Sequence, residues 1–108
     1  MSTFTYISKY GIYHDCYFRK GYYENKNLAI EIWNTTEGPI IRVTVNPYVK
    51  LPDDRIAIKN YSENEGMVDW LVSHDIIEED AMQIIVSGLV EIPVHALTEN
   101  GKKYLGLV

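Results

Sequence analysis

Apolar and polar residues alternate along the first half of the chain. In Asn27-Leu-Ala-Ile-Glu-Ile-Trp33, Leu28, Ile30 and Ile32 share one face, with Ala29, Glu31 and Trp33 on the other. In Ile40-Ile-Arg-Val-Thr-Val-Asn46, Ile41, Val43 and Val45 share a face opposite Ile40, Arg42 and Thr44. A period of two is that of a strand buried on one side. The intervening Asn34-Thr-Thr-Glu-Gly-Pro39 carries the Gly and Pro of a hairpin loop. Pairing Trp33 with Ile40 sets Ile32 against Ile41, Glu31 against Arg42, Ile30 against Val43 and Leu28 against Val45. A slip of one residue would turn the isoleucines to water, so the pattern specifies the register.

Upstream, His14-Asp-Cys-Tyr-Phe-Arg-Lys-Gly-Tyr-Tyr-Glu24 reads as another strand, returning through the polar turn Glu24-Asn-Lys-Asn27. Thr5-Tyr-Ile-Ser-Lys-Tyr-Gly11 predicts a short first strand, and Arg55-Ile-Ala-Ile-Lys-Asn-Tyr61 a fifth. The period then changes. Met67, Trp70, Leu71 and His74 fall at i, i+3, i+4 and i+7, the stripe of a helix. Ser62 and Glu65 match a capping box ahead of it, which predicts a helix near 63–74 with Trp70 and Leu71 packed on the sheet. Ala81-Met-Gln-Ile-Ile-Val-Ser-Gly-Leu-Val-Glu-Ile92 fits helix or strand, and the β-branched run 84–86 with Gly88 and Pro93 favours an irregular strand. Asn100-Gly101 predicts a two-residue hairpin turn, with Glu99 facing Lys102, Leu97 facing Tyr104 and Val94 facing Leu107. These elements make an α+β fold: a twisted, mostly antiparallel sheet of five to six strands with one main helix on one face. At 108 residues, the chain 1–108 has the length of a single domain.

Charge changes the picture most. Residues 1–59 carry a balance of +2, residues 60–101 hold nine acids and neither Lys nor Arg, and Lys102 and Lys103 return +2. Seven of those acids, Glu63, Glu65, Asp69, Asp75, Glu78, Glu79 and Asp80, fall within residues 61–80. Close like charges on a helix and loop oppose one another by a few tenths of a kcal/mol per pair, ~0.2–0.5 in exposed helices. A cationic partner would relieve them, whereas phosphate would be repelled. The seven are the candidate partner-binding residues, for the basic surface of a protein rather than for nucleic acid. The competing reading is a solvated helix face and loop.

Candidate chemistry elsewhere is sparse. His14-Asp15-Cys16 places a base near a thiol, and regular alternation would set His14 and Cys16 on one face. A buried structural cysteine beside a surface histidine is the favoured reading. Three scattered histidines and one cysteine show no ligand spacing, so no metal is expected, and no motif calls for a cofactor. Asp53-Asp54 reads as a solvated loop pair. Tyr13, Tyr17, Tyr22 and Tyr23 near Arg19 and Lys20 could form a stacking platform for single-stranded nucleic acid, but such readers are basic overall and this chain carries −5. The lone Cys16, the absence of a secretory pattern in the first residues and the lack of an apolar run near ~18 residues lead us to expect a soluble protein of the cytoplasm.

The run Tyr22-Tyr-Glu-Asn-Lys-Asn-Leu-Ala-Ile-Glu-Ile-Trp-Asn-Thr-Thr-Glu-Gly-Pro-Ile-Ile-Arg-Val-Thr-Val-Asn46, with Leu51-Pro-Asp-Asp54 and Asp69-Trp-Leu-Val-Ser-His-Asp-Ile76, resembles a family of small proteins carried on phages and other mobile elements and known only as a domain of unknown function. The match spans residues 22–71, with a weaker echo in Gly88-Leu-Val-Glu-Ile-Pro93, and residues 75–90 depart from the pattern. It implies a fold and no active site. It also implies an accessory, non-enzymatic protein of the anti-CRISPR or anti-restriction kind, in the host cytoplasm, which blocks a defence enzyme such as a CRISPR effector nuclease by occupying its nucleic-acid groove. The alternative is a small-ligand binder or a cysteine-dependent enzyme using the tyrosine-rich face.

Overall fold

A computed structural model describes residues 3–107. Among these residues, seven strands form two antiparallel sheets, accompanied by two short helices. The first sheet has the order β1 (Phe4–Ser8), β2 (Gly11–Tyr22), β3 (Leu28–Asn34), β4 (Gly38–Arg42). The second has the order β5 (Arg55–Ala57), β7 (Val90–Ala96), β6 (Gln83–Ser87). Helix α1 (Met67–Ser73) lies between β5 and β6, and α2 (Glu99–Tyr104) follows β7. Among the described residues, no helix is long and apolar enough to cross a membrane.

The α+β class holds, but the expected single sheet is two. The cause lies after β4. Glu31 and Ile32 pair with Arg42 and Ile41 as the pattern requires. Trp33 pairs with Pro39 rather than Ile40, across a bulge that absorbs one residue. Proline has no N–H to give to the ladder and is tolerated on an edge strand such as this one. Beyond Arg42 the chain leaves β3. The Val43 N–H still donates to the Ile30 carbonyl, at 2.9 Å, but Val45 donates to Ala57 at 3.1 Å instead of meeting Leu28. Residues 43–45 thus carry the chain from one sheet to the other.

The main core lies between the sheets and under α1. Leu28, Ile30 and Ile32 of β3 meet Val43, Ile56, Ile58, Met67, Leu71, Ile76 and Ile77 there, all buried. A second cluster, Leu51, Ala57, Ile92 and Val94, fills the other face of the three-stranded sheet. Trp70 is half-buried and meets the rings of Phe4, Tyr6 and Phe18, so α1 packs on the first sheet through the residues its periodicity marks. The Asn25/Asn27 turn is also structural. Buried Asn27 donates to Asn46 Oδ1 and the Val49 carbonyl and accepts the Leu51 N–H, tying the β2–β3 turn to the long loop after β4.

Two local rules give way to tertiary context. The capping box does not form. Ser62 sits in a short 3-10 turn with φ 58, and Gly66, at φ 90, opens a shorter helix from Met67. The Val68 N–H is satisfied by Asn60 Oδ1 instead. A left-handed Gly66 between Glu65 and Met67 separates the box from the helix it would have capped.

The C-terminal hairpin is likewise a helix. Thr98 Oγ1 accepts the Gly101 N–H as an N-cap, and Glu99 and Lys102 lie one turn apart at 3.2 Å rather than across a turn. Gly101 is buried against the backbone of Ile76, where any Cβ would collide with the Ile76 carbonyl. Glycine is present for close approach, and the Asn-Gly pair reads as a turn only when that contact is invisible. Residues 81–92 are strand rather than helix, but the expected single irregular strand is two, β6 and β7, which form a hairpin through Gly88-Leu89 with Gly88 at φ 61.

Gly101→Ala separates the two accounts. On helix propensity alone it should stabilise α2 by about 1 kcal/mol. Against the Ile76 backbone it should destabilise the protein by about 1–3 kcal/mol, as overpacking does. Urea denaturation of the two proteins checks this, and a more stable variant would contradict the close contact.

Candidate functional site

The seven acids do not form one uniform face. Glu63 and Glu65 precede α1, Asp69 is the one that lies on it, Asp75 follows it, and Glu78, Glu79 and Asp80 lie on the loop towards β6. The first two find cations from outside the stretch. Lys59 reaches Glu63, and this hydrogen-bonded ammonium holds the Glu63 carboxyl below its ordinary range. Lys9, in the β1–β2 turn, lies 3.8 Å from Glu65. Such exposed pairs contribute little to stability, about 0–1 kcal/mol each. Asp69, Asp75, Glu78, Glu79 and Asp80 are all exposed and form no ion pair with Lys or Arg among the described residues.

Two of those five sit on backbone that the fold holds firmly. Asp75 adopts the left-handed conformation, φ 57, at the end of α1. Its N–H donates to the Val72 carbonyl and the Ile76 N–H to the Leu71 carbonyl, at 3.0 Å each. This is the Schellman arrangement, with Ile76 and Leu71 making the accompanying apolar contact inside the core. Asp occupies the place where glycine is usual. The Asp75 carbonyl also accepts from Thr98 Oγ1 and Asn100 Nδ2, so the end of α1 and the start of α2 are one unit.

The loop at 78–82 is pinned at both ends. The Glu78 N–H donates to the Ala96 carbonyl at 2.9 Å, and the Met82 N–H to the Val94 carbonyl at 2.7 Å. The Nδ1 of buried His95 lies 2.8 Å from the Glu78 carbonyl. A carbonyl only accepts, so Nδ1 carries the proton. Glu79 and Asp80 stand out from this fixed base into solvent.

The other candidates dissolve on inspection of the geometry. Asp15, at φ 53, is the extra residue of a bulge in β2, where Phe4 pairs with Cys16 and Tyr6 with Tyr13. The bulge breaks the alternation, so His14 and Cys16 do not share a face. The His14 ring is exposed and meets Thr5 Oγ1, while Cys16 is fully buried and its thiol donates to the Tyr13 carbonyl. Burial pushes the Cys16 thiol above its ordinary pKa, the opposite of an activated nucleophile. Two of the four tyrosines are taken up by the fold, while Tyr22 is exposed. Tyr13 packs against the core, and the Tyr23 hydroxyl is held by Thr44. Among the described residues, no three His, Cys, Asp or Glu side chains converge as a metal site requires.

Sequence reading missed a cleft of about 500 Å³ between the β2–β3 turn, the loop 50–55 and the C-terminal segment. Lys26, Lys50, Arg55 and Lys102 line it, with Asp53 and Asp54. Lys50 meets Asp53 at 3.1 Å, and the buried Arg55 Nε has no hydrogen-bond acceptor, with Asp54 at 4.0 Å. The four cations come from three separate segments, with Lys50 and Arg55 on one loop. Only the basic balance of the first half could have hinted at them.

No protein-family model, curated protein or solved structure matches the chain.

The left-handed turn at Asp75 makes a direct prediction. Asp75→Gly should leave stability unchanged or raise it by up to about 1 kcal/mol, since glycine carries no Cβ penalty there. Asp75→Val should lower it by about 1–2 kcal/mol, because a β-branched residue is poorly tolerated at positive φ. Equal melting temperatures for the two variants would contradict the turn geometry.

Proposed function

We propose that the chain is a non-enzymatic binding protein whose acidic surface, centred on Glu78, Glu79 and Asp80 and extended by Asp69 and Asp75, docks on a basic protein groove. The observation that carries this reading is that these five exposed carboxylates form no ion pair with Lys or Arg among the described residues, with Asp75 and Glu78 on backbone held by hydrogen bonds. Uncompensated exposed charge adds nothing to the fold, and a loop held at both ends loses little entropy on docking. The resemblance to proteins of mobile elements points to a nucleic-acid-handling defence enzyme of the host, of the restriction or CRISPR effector type, as the owner of the groove. Occupying it would exclude the nucleic acid by charge and by volume.

A second reading has one observation in its favour. The orphaned Arg55 Nε lies in a cleft lined by three lysines, which suits a small anionic ligand. Calorimetric titration with inorganic phosphate and small carboxylates tests that reading independently of any protein partner.

Replacing Glu78, Glu79 and Asp80 together with Ser tests the first reading. The melting temperature should stay within the small change typical of exposed sites, about ±0.5 kcal/mol per substitution. Capture of the partner from a host lysate should weaken. With the captured protein, association should slow several-fold at low salt, and the wild-type complex should loosen as salt rises. A triple variant that associates as fast as wild type at low salt would return these acids to a solvated loop.

A further inference from the structure

The hairpin that follows the acidic loop has an unusual surface. Residues 81–90 contain no charged side chain, in a chain of which 23 % is charged. Ile84 and Val86 are 50 % and 70 % exposed, Met82 is half-exposed, and Leu89 at the tip is fully exposed. Strand β6 lies at the edge of its sheet, paired on one side with β7 alone. Ile84 pairs with Pro93, which has no N–H, so this is a non-hydrogen-bonded pair of the ladder. The N–H and C=O of Ile84 and Val86 therefore turn towards the open edge.

Two of the other sheet edges, β4 and β5, are protected in familiar ways, and β1, also free of charge and proline, differs from β6 in its side chains. β4 carries Pro39 and Arg42, and β5 is flanked by the bridge of Thr44 to Ile58. The side chains of β1 are covered or half-covered except Ile7. β6 has no charge, no proline and no covering segment, the features of a strand that pairs with another.

We propose that β6 is the self-association edge of this protein, where a second copy adds its own β6 antiparallel, centred on Ile85. Two observations select a second copy over a foreign strand. Gln83-Ile-Ile-Val-Ser87 reads polar, apolar, apolar, apolar, polar in either direction, so an antiparallel copy matches like with like. Ile84 then faces Val86 of the other copy, twice, and the outward groups of both residues exchange hydrogen bonds. Charge selects the same place. Two copies of net charge −5 repel over most of their surface, and the uncharged hairpin is where they can approach. In this register the acids at 78–80 begin where the other copy's strand has already turned at Gly88-Leu89, so no carboxylate faces another across the new ladder. The same acids flank the apolar strand and oppose further stacking. The result is a closed two-fold pair, a six-stranded sheet in the order β5-β7-β6-β6-β7-β5.

Sedimentation of the full chain across the micromolar to millimolar range, with hydrogen exchange, tests this pairing. The wild type should pass from monomer to dimer as concentration rises, with slower exchange at the Ile84 and Val86 amides in the dimer. Val86→Lys, at an exposed position, should melt like wild type and stay monomeric. The register has its own test. A mixture of Gln83→Cys and Ser87→Cys chains should form a disulfide-linked dimer on oxidation, because residues 83 and 87 lie opposite across the two-fold. Either chain alone should not. A wild type that remains monomeric throughout would overturn the proposal. So would a Val86→Lys dimer, cross-linking within one variant alone, or protection of these amides only by a different protein.

Discussion

One hydroxyl stands where the two sheets meet. Thr44 is fully buried, and its Oγ1 accepts the Ile30 N–H at 3.1 Å in the middle of β3. Its backbone bridges Ile58, beyond the end of β5, and its carbonyl and hydroxyl lie 3.3 Å from the Tyr23 hydroxyl. On either side of it, Val43 is bonded to Ile30 and Lys59, and Val45 to Ala57. Strand β3 therefore keeps its hydrogen bonds although β4 has ended, one of them to a side chain. A backbone donor left unpaired at this depth would cost about 1–3 kcal/mol, so the crossing is specified by chemistry as well as by hydrophobic packing. Once the sheets are joined here, Ile56 and Ile58 face Ile30 and Ile32, and α1 closes the space between them with Met67 and Leu71.

The features with functional meaning are placed by that junction. The three-stranded sheet holds the acidic loop through Ala96, Val94 and His95, and it presents β6 at its free edge. Carboxylates and uncharged edge are adjacent in sequence and differ in physical character. The loop is charged, exposed and fixed, suited to a cationic surface. The hairpin is uncharged and apolar, suited to a strand like itself. In the two readings proposed above, one short region selects a partner and pairs copies, each sensitive to a different variable: salt for the first, concentration for the second.

Sequence alternation reveals the packing of β3, because Leu28, Ile30 and Ile32 follow a rule that one strand obeys alone. The Ile32–Ile41 and Glu31–Arg42 pairs and the helix stripe of Met67, Trp70 and Leu71 were legible for the same reason. The readings that failed depended on backbone conformations or contacts that local patterning does not reveal. Asn100-Gly101 becomes helix because Gly101 lies against Ile76, and Ser62-Glu65 is cut off from its helix by left-handed Gly66, with Asn60 capping the Val68 N–H. Composition exposes the acids of 61–80, but not that Lys9 and Lys59 neutralise two of them, nor that His95 anchors Glu78. The cleft around Arg55 was invisible, since no short window contains more than two of its cations.

The junction at Thr44 is tested most directly by Thr44→Val, which keeps the shape of the side chain and removes its hydroxyl. Equilibrium urea denaturation, with native-state hydrogen exchange, reads the outcome. The account predicts a loss of about 1–3 kcal/mol, the cost of leaving the Ile30 N–H without an acceptor. It also predicts faster exchange of the Ile30 amide together with Val45 and Lys59, whose bonds depend on the same crossing. A variant as stable as wild type, with these amides equally protected, would contradict the claim that this hydroxyl joins the two sheets.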